Sequence, residues 1–207
     1  MSKKHLKGKI EMEEKFKNYK YIIQLPTVRI PKCIYEQLKS GKILNFLHDN
    51  KEAFLCYDEE YKYLKGRYLT GRSVREALAG IIIFRKTGER VILETYEFPR
   101  HQIKHRKALK ILDSLVALSI EKESGVLRNP MHPDILTEFG KLIEIKSDSD
   151  DLLKSQKKHF PKICKLRSKP IYSMRIRFMT ETKRKELGIN SIDEWFQYVL
   201  ESIEIEF

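Results

Sequence analysis

The sequence predicts an α/β protein: a mixed β-sheet flanked by helices, with a further α+β region ahead of it. Three observations carry that expectation. Residues 133–147, PDILTEFGKLIEIKS, read as a β-hairpin whose strands are apolar on both faces. Residues 170–178, PIYSMRIRF, alternate as a further strand does. Residues 101–120 and 191–203 carry apolar side chains at helical spacing, so helices lie on both sides of these strands in the chain.

The hairpin is the most informative stretch. Asp134 is followed ten positions later by Glu144, and Lys146 stands two beyond that. Side chains alternate along a strand, so Glu144 and Lys146 share a face. Asp134 joins them only if it pairs directly with Glu144, which requires an odd-numbered loop. The loop Glu138-Phe139-Gly140 does this, and it puts Gly where such a loop needs φ > 0. A two-residue loop would pair Asp134 with Ile145 and turn the carboxylates apart.

The far face of this hairpin holds Ile135, Ile143 and Ile145, and the acidic face adds Leu136 and Leu142. Strands apolar on both sides are covered on both sides. A charge rising from such a strand is costly unless it is paired or bound to metal. Two carboxylates suit a hard cation, Mg²⁺ or Mn²⁺. An ammonium beside them can orient a water or stabilise developing negative charge. The competing reading is a salt bridge that only holds two strands.

With its spacing, P-D-x9-E-x-K resembles the signature of the PD-(D/E)XK nuclease superfamily. The run from Glu144 to Phe160, EIKSDSDDLLKSQKKHF, is similar to the VRR-NUC branch. There E-V-K is followed by a short polar loop, an Asp, a Leu, and a Gln four residues after that Leu. Asp150, Leu152 and Gln156 stand in those places. The chain is also similar to archaeal Holliday-junction resolvases. The likeness spans residues 102–178. It implies a restriction-endonuclease-like sheet and a Mg²⁺-dependent (or Mn²⁺-dependent) DNA endonuclease that hydrolyses phosphodiester bonds with selectivity for substrate structure. It implies metal ligation by Asp134, Glu144 and the backbone carbonyl of Ile145, a water positioned by Lys146, and support of the site by Gln156. Two alternatives share that fold. One is the endonuclease subunit of a transposition or restriction system, where a protein partner chooses the target. The other is a DNA-binding protein without activity.

The chain departs from the pattern twice. Met131-His132 precede the Pro-Asp pair where family members have Gly. The helix before the hairpin, which reads HQIKHRK from His101, lacks the family's acid. His105, Glu97, Asp113 and Glu121 are the candidates to replace it.

Composition agrees with a polyanion partner. The 207 residues carry a net charge of +12, and nucleic acid is the default partner for such a balance. No apolar stretch is long enough to suggest a membrane span. The first residues lack an apolar core, so no secretory leader is expected and the reading is cytoplasmic. Cys33, Cys56 and Cys164 are odd in number and without CxxC spacing, which suits reduced thiols.

Three regions follow. Residues 1–100 form a basic α+β region expected to bind DNA, 101–180 the nuclease core, and 181–207 helices packing on that core. Residues 1–100 hold 21 Lys/Arg against 13 Asp/Glu, a larger surplus than the remainder has. After a Lys-rich arm at 1–20 come short strands at 21–24 and 28–30, broken at Pro26. Helices at 32–39 and 43–49 are divided by Gly41. A short helix at 73–79 then leads into a hairpin, 80–84 and 90–96, around Gly88. Helices followed by a hairpin suggest a winged-helix-like module. Arg72 and Arg75, with Arg67, would lie on its recognition helix, and Arg85, Lys86 and Arg90 on the wing. The other reading is an extension of the nuclease fold itself.

The later elements have ordinary signals. Ala108, Leu109, Leu112, Leu115 and Val116 stripe the helix at 101–120, and 125–129 is a short strand. His132 is a phosphate contact or a plain loop residue. Asp148, Asp150 and Asp151 precede a helix that Ser149 or Asp150 would cap. Leu152, Leu153, Gln156 and Phe160 share one face of that helix, and Gln156, its one polar member, must find partners. A helix at 180–187 stops at Gly188. Ser191 and Glu194 have capping-box spacing. The apolar face of Ile192, Trp195, Phe196, Val199, Leu200 and Ile203 packs on the core or forms a homodimer contact.

Overall fold

The computed structural model describes residues 21–66, 70–93, 133–147 and 150–207. Several expectations lie outside these residues: the arm at 1–20, Arg67, Glu97, the helix at 101–120 with His105 and Asp113, Glu121, the strand at 125–129, His132, Asp148 and Ser149.

Six strands form one mixed sheet: β1 (Ile22–Gln24), β2 (Val28–Pro31), β3 (Val91–Leu93), β4 (Ile135–Thr137), β5 (Leu142–Lys146) and β6 (Ile171–Met179). The order is β1-β6-β5-β4-β3, and β2 also pairs with β6. β6 is parallel to β1, β2 and β5, whereas β4 is antiparallel to β3 and β5. β1 lies against Ile171–Ser173 and β2 against Ile176–Met179. Pro26, which has no N–H for a ladder, falls in the break between them. Strands from the first hundred residues therefore enter the same sheet as the hairpin at 133–147.

The alternation seen in the sequence sorts the two faces. Ile135, Ile143, Tyr172, Met174, Ile176, Val28 and Ile30 are buried in one cluster, with Val74, Ala77, Leu78 and Ile81. Leu136, Leu142 and Ile171 face the other way and pack with Phe160, Ile163 and Cys164. The first set of helical residues belongs to α4 (Gly71–Thr87) and the second to α5 (Lys154–Arg167), which follow the shorter helices α1 (Lys32–Gln37), α2 (Ile43–Asp49) and α3 (Tyr57–Gly66). Gly41, with φ of 119°, makes the bend between α1 and α2 that the sequence suggested.

Helix α4 overturns one expectation. Residues 80–84 are not the first strand of a hairpin; one helix runs unbroken from Gly71 to Thr87. Thr70 caps it by accepting from the Ser73 N–H, and Gly88 ends it in the left-handed conformation at φ of 73°. The run Ile81-Ile82-Ile83 has the β-branched look of a strand. All three are fully buried, so this part of the helix has no solvent face, and periodicity gives no clue to it. Gly88 serves as a helix stop, not a hairpin turn. Residues 80–84 therefore form no strand of a wing. Arg85 and Lys86 lie in the last helical turn. The Arg85 Nε donates to Asn50 Oδ1, and the Lys86 Nζ donates to the Leu200 carbonyl and to Glu204. The β3 strand finds its partner in β4 instead.

The C-terminal part follows its signals closely. A short helix α6 (Glu181–Glu186) is capped by Thr180. Gly188, at φ of 66°, stands just beyond it. Ser191 and Glu194 form the capping box of α7 (Ile192–Ser202). Trp195 is fully buried, and its Nε1 donates to the Arg29 carbonyl, which ties α7 to β2. The start of α5 differs from expectation. The helix begins at Lys154, and the Leu153 N–H donates to Gln156 Oε1, so the cap position is Leu153 and not Asp150. Leu153 is 60% exposed and off the buried face.

Among the described residues no helix is long and apolar enough to cross a membrane.

Gly80 lets α4 approach β3. A Cβ there would sit 2.9 Å from Val91 Cγ2 and 3.3 Å from both Leu93 Cδ2 and Phe54 Cε1. Gly80→Val is expected to destabilise the protein by about 1–3 kcal/mol through overpacking. A chemical-denaturation midpoint that does not move would show that helix and strand do not meet there.

Candidate carboxylate site

The hairpin is built as its loop demands. Ile135 pairs with Ile143 and Leu136 with Leu142, and Asp134 directly precedes β4. Thr137 and Lys141 close a three-residue loop: the Thr137 N–H donates to the Lys141 carbonyl, and the Gly140 N–H donates to the Thr137 carbonyl. Gly140 has φ of 78°. Glu144 and Lys146, two apart on β5, share one face, Asp134 stands at the entry to β4, and apolar packing on both sides of the hairpin buries all three.

Asp134, Glu144, Lys146 and Gln156 are all buried. The Lys146 Nζ lies 2.7 Å from Glu144 Oε1 and donates to Gln156 Oε1 at 2.9 Å. The Gln156 Nε2 donates to the same Glu144 oxygen at 2.6 Å. The three side chains therefore close a triangle. Gln156 reaches it because α5 packs its first turns on the hairpin, and its Oε1 also accepts the Leu153 N–H.

Asp134 is held differently. Its Oδ2 accepts the Ile145 N–H at 2.7 Å, and its Oδ1 accepts from Arg72 Nη2 at 2.7 Å. The Nε of Arg72 donates to Glu76 Oε1 at 2.6 Å. Arg72 and Glu76 are one helical turn apart on α4, so a single guanidinium bridges an acid of the helix and an acid of the hairpin. Glu76 is 1% exposed. It stands some sixty residues before the hairpin, outside the stretch directly upstream where the family pattern places its acid. A signal was present: Glu76 is the lone acid in the apolar run from Val74 to Ile83, four residues after an Arg.

The electrostatics of Glu144 follow from its surroundings. Burial first, and the neighbouring Asp134 carboxylate second, push its carboxyl up to about 7, against the hydrogen bonds and charge of Lys146 and the hydrogen bond of Gln156. Its Oε2 is buried without a hydrogen-bond partner among the described residues. Such an oxygen is normally satisfied by a donor, a water or an ion.

That orphan oxygen is the test of whether the residues fit a divalent cation. Two hard carboxylates from adjacent strands, one with a free buried oxygen, suit Mg²⁺, which is held by one or two carboxylates while waters and phosphates fill its other positions. Among the described residues no three or more His, Cys, Asp or Glu converge into a fuller cage. At Ile145 the N–H donates to Asp134 Oδ2.

The other cations expected to contact DNA are dispersed. Arg75, on the first turns of α4, lies over the Tyr35 ring with its guanidinium carbon 5.1 Å from the centroid. Arg90 pairs with Glu138 of the hairpin loop, and Arg85 and Lys86 serve α4 as described above. Only Arg72 meets the carboxylates.

Comparison of the chain with protein-family models, with curated proteins and with solved structures finds no match. The site stands on its own geometry.

The high carboxyl of Glu144 has a consequence for stability. Below about 4.5 Glu144 is protonated in both folded and unfolded chains; between there and about 7 only the folded chain keeps the proton. The contribution of Glu144 to stability is therefore fully present below about 4.5 and is lost as pH rises through about 7, on the order of 3 kcal/mol. Glu144→Gln is expected to flatten that part of the stability–pH curve. Thermal melts of both proteins across the range check it; parallel curves would contradict the assignment.

Proposed function

We propose that the protein is a Mg²⁺- or Mn²⁺-dependent DNA endonuclease with a restriction-endonuclease-like core. One observation carries the reading: Lys146 and Gln156 surround a buried Glu144 carboxylate with a spare oxygen, and a second buried acid, Asp134, is held nearby on the Ile145 N–H. The resemblance of P-D-x9-E-x-K and of the Leu152/Gln156 spacing to VRR-NUC nucleases supports it, and so does the net charge of +12.

Asp134 and Glu144 would hold the ion. When bound there, the divalent ion supplies charge stabilisation for phosphodiester hydrolysis and makes a water more acidic. The chain's own residues do the rest. Lys146 places an ammonium beside the Glu144 carboxylate, where it orients an attacking water and offsets negative charge gathering on the phosphate. Gln156 fixes the Lys146 and Glu144 side chains relative to one another. Glu76 is the helix acid of the site, in the role for which His105, Glu97, Asp113 and Glu121 were the sequence candidates. Arg72 bridges Glu76 and Asp134 and neutralises them when no cation does.

That same Arg72 bridge favours a second reading, a DNA-binding protein without catalysis on this fold, in which the guanidinium replaces the ion permanently. Metal titration separates the two. An ion that binds the folded chain at 100 times its Kd adds about 2.7 kcal/mol of stability. The endonuclease reading expects such a gain with Mn²⁺ and its loss in Glu144→Gln. It also expects the gain to shrink as pH falls below about 7, because a proton on Glu144 competes with the ion.

Activity gives the direct test. With Mg²⁺, the wild-type chain is expected to cut some of a panel of branched, flapped, duplex and single-stranded DNA, and to cut nothing in EDTA. Lys146→Ala should lower the cleavage rate by about a hundredfold or more while leaving DNA binding near normal. Cleavage that persists in that variant at the wild-type rate would remove Lys146 from the mechanism.

A further inference from the structure

We infer that the outer half of β6, with β2 beside it, is the track that holds the phosphate backbone of the DNA strand entering the carboxylate site. The inference rests on the endonuclease reading and names how that site takes its substrate.

The register places the residues. Glu144 lies beside Ser173, Lys146 beside Arg175, and Arg29 beside Arg177. Aligned residues of parallel neighbours share a face, and residues two apart on one strand do too. Lys146, Arg175, Arg177 and Arg29 therefore stand on the same face as Glu144, in a line leading away from it. The opposite face of the same strands is filled by Met174, Ile176, Val28 and Ile30, all buried.

The line is open where the site is closed. Phe160, Ile163 and Cys164 of α5 pack near the beginning of β6, with Leu142 and Ile171. Arg175 and Arg177 are half-buried and Arg29 is exposed. The Arg175 Nη1 donates to the Asp150 carbonyl, which steadies that side chain at the edge of the site. The Arg177 Nε is buried without a hydrogen-bond partner among the described residues.

The charge pattern points to an anion. Like charges directly beside each other on neighbouring strands are destabilising. This face has two such pairs in succession, Lys146 with Arg175 and Arg177 with Arg29. Among the described residues none of Arg29, Arg175 and Arg177 is ion-paired. Their spacing along β6 is roughly 7 Å, comparable to that of successive phosphates in an extended strand. A phosphodiester backbone satisfies all of these cations together, and at the Lys146 end it arrives at the carboxylates.

Fluorescence anisotropy with labelled DNA oligonucleotides, in EDTA and across a salt series, tests the track apart from catalysis. The variants are Arg29→Gln, Arg175→Gln, Arg177→Gln and the triple. The triple variant is expected to bind about tenfold or more weakly, and the slope of log affinity against log salt to shrink by about 1 for each arginine removed. Its melting temperature should hold or rise, since like-charge pairs are relieved. Arg29→Gln alone changes an exposed side chain, so it reports on binding even if the triple folds poorly. Unchanged affinity and salt slope in Arg29→Gln and in the folded triple would overturn the track, and do so even if Lys146→Ala abolishes cleavage. A wild-type chain that binds through these arginines and never cuts would support the track and remove the endonuclease reading. Tighter binding of RNA than of DNA would overturn the choice of substrate.

Discussion

The candidate site depends on one register. Because side chains alternate strictly along a strand, a slip of one residue between β4 and β5 would send Asp134 and Glu144 to opposite faces. The three-residue loop prevents the slip. It closes through Thr137 and Lys141 and needs a positive φ at Gly140, which glycine supplies without strain. Apolar packing reinforces it: Ile135 and Ile143 belong to the core on the α4 side, Leu136 and Leu142 to that on the α5 side. A shifted strand would bury its acids in the wrong layer.

That constraint has an electrostatic cost. Glu144 is taken from water next to another carboxylate, and burial raises its carboxyl into the neutral range. The fold offsets the cost by surrounding it with Lys146 and Gln156, and by giving Asp134 the Ile145 N–H and Arg72. The compensation is incomplete, since one Glu144 oxygen has no donor among the described residues.

Charge is organised beyond the acids as well. The chain is basic as a whole, but its cations play different parts. Lys86 and Arg85 hold helices together, Arg90 braces the hairpin loop through Glu138, and Arg72 clamps two acids. Arg29, Arg175 and Arg177 are aligned by strand pairing and, among the described residues, form no salt bridge. Sequence distance conceals that alignment, since Arg29 and Arg177 come from opposite ends of the chain.

Much of this was legible from local rules. The hairpin with its Gly140 loop, the β6 strand, the Gly41 bend, the Ser191 capping box and the convergence of Asp134, Glu144 and Lys146 all follow from alternation, turn chemistry and caps, which act over a few residues. The sequence alone could not decide α4, Glu76 or the arginine line. Ile81, Ile82 and Ile83 suit a strand as well as a helix, and only burial on every side selects the helix and removes that strand of the wing. Glu76 and Arg72 reach Asp134 solely because α4 packs on the sheet, and Arg29 meets Arg177 solely because β2 pairs with β6. Short-range stereochemistry is written in neighbouring residues; contacts between distant segments depend on how whole elements share one core, and that is settled by packing.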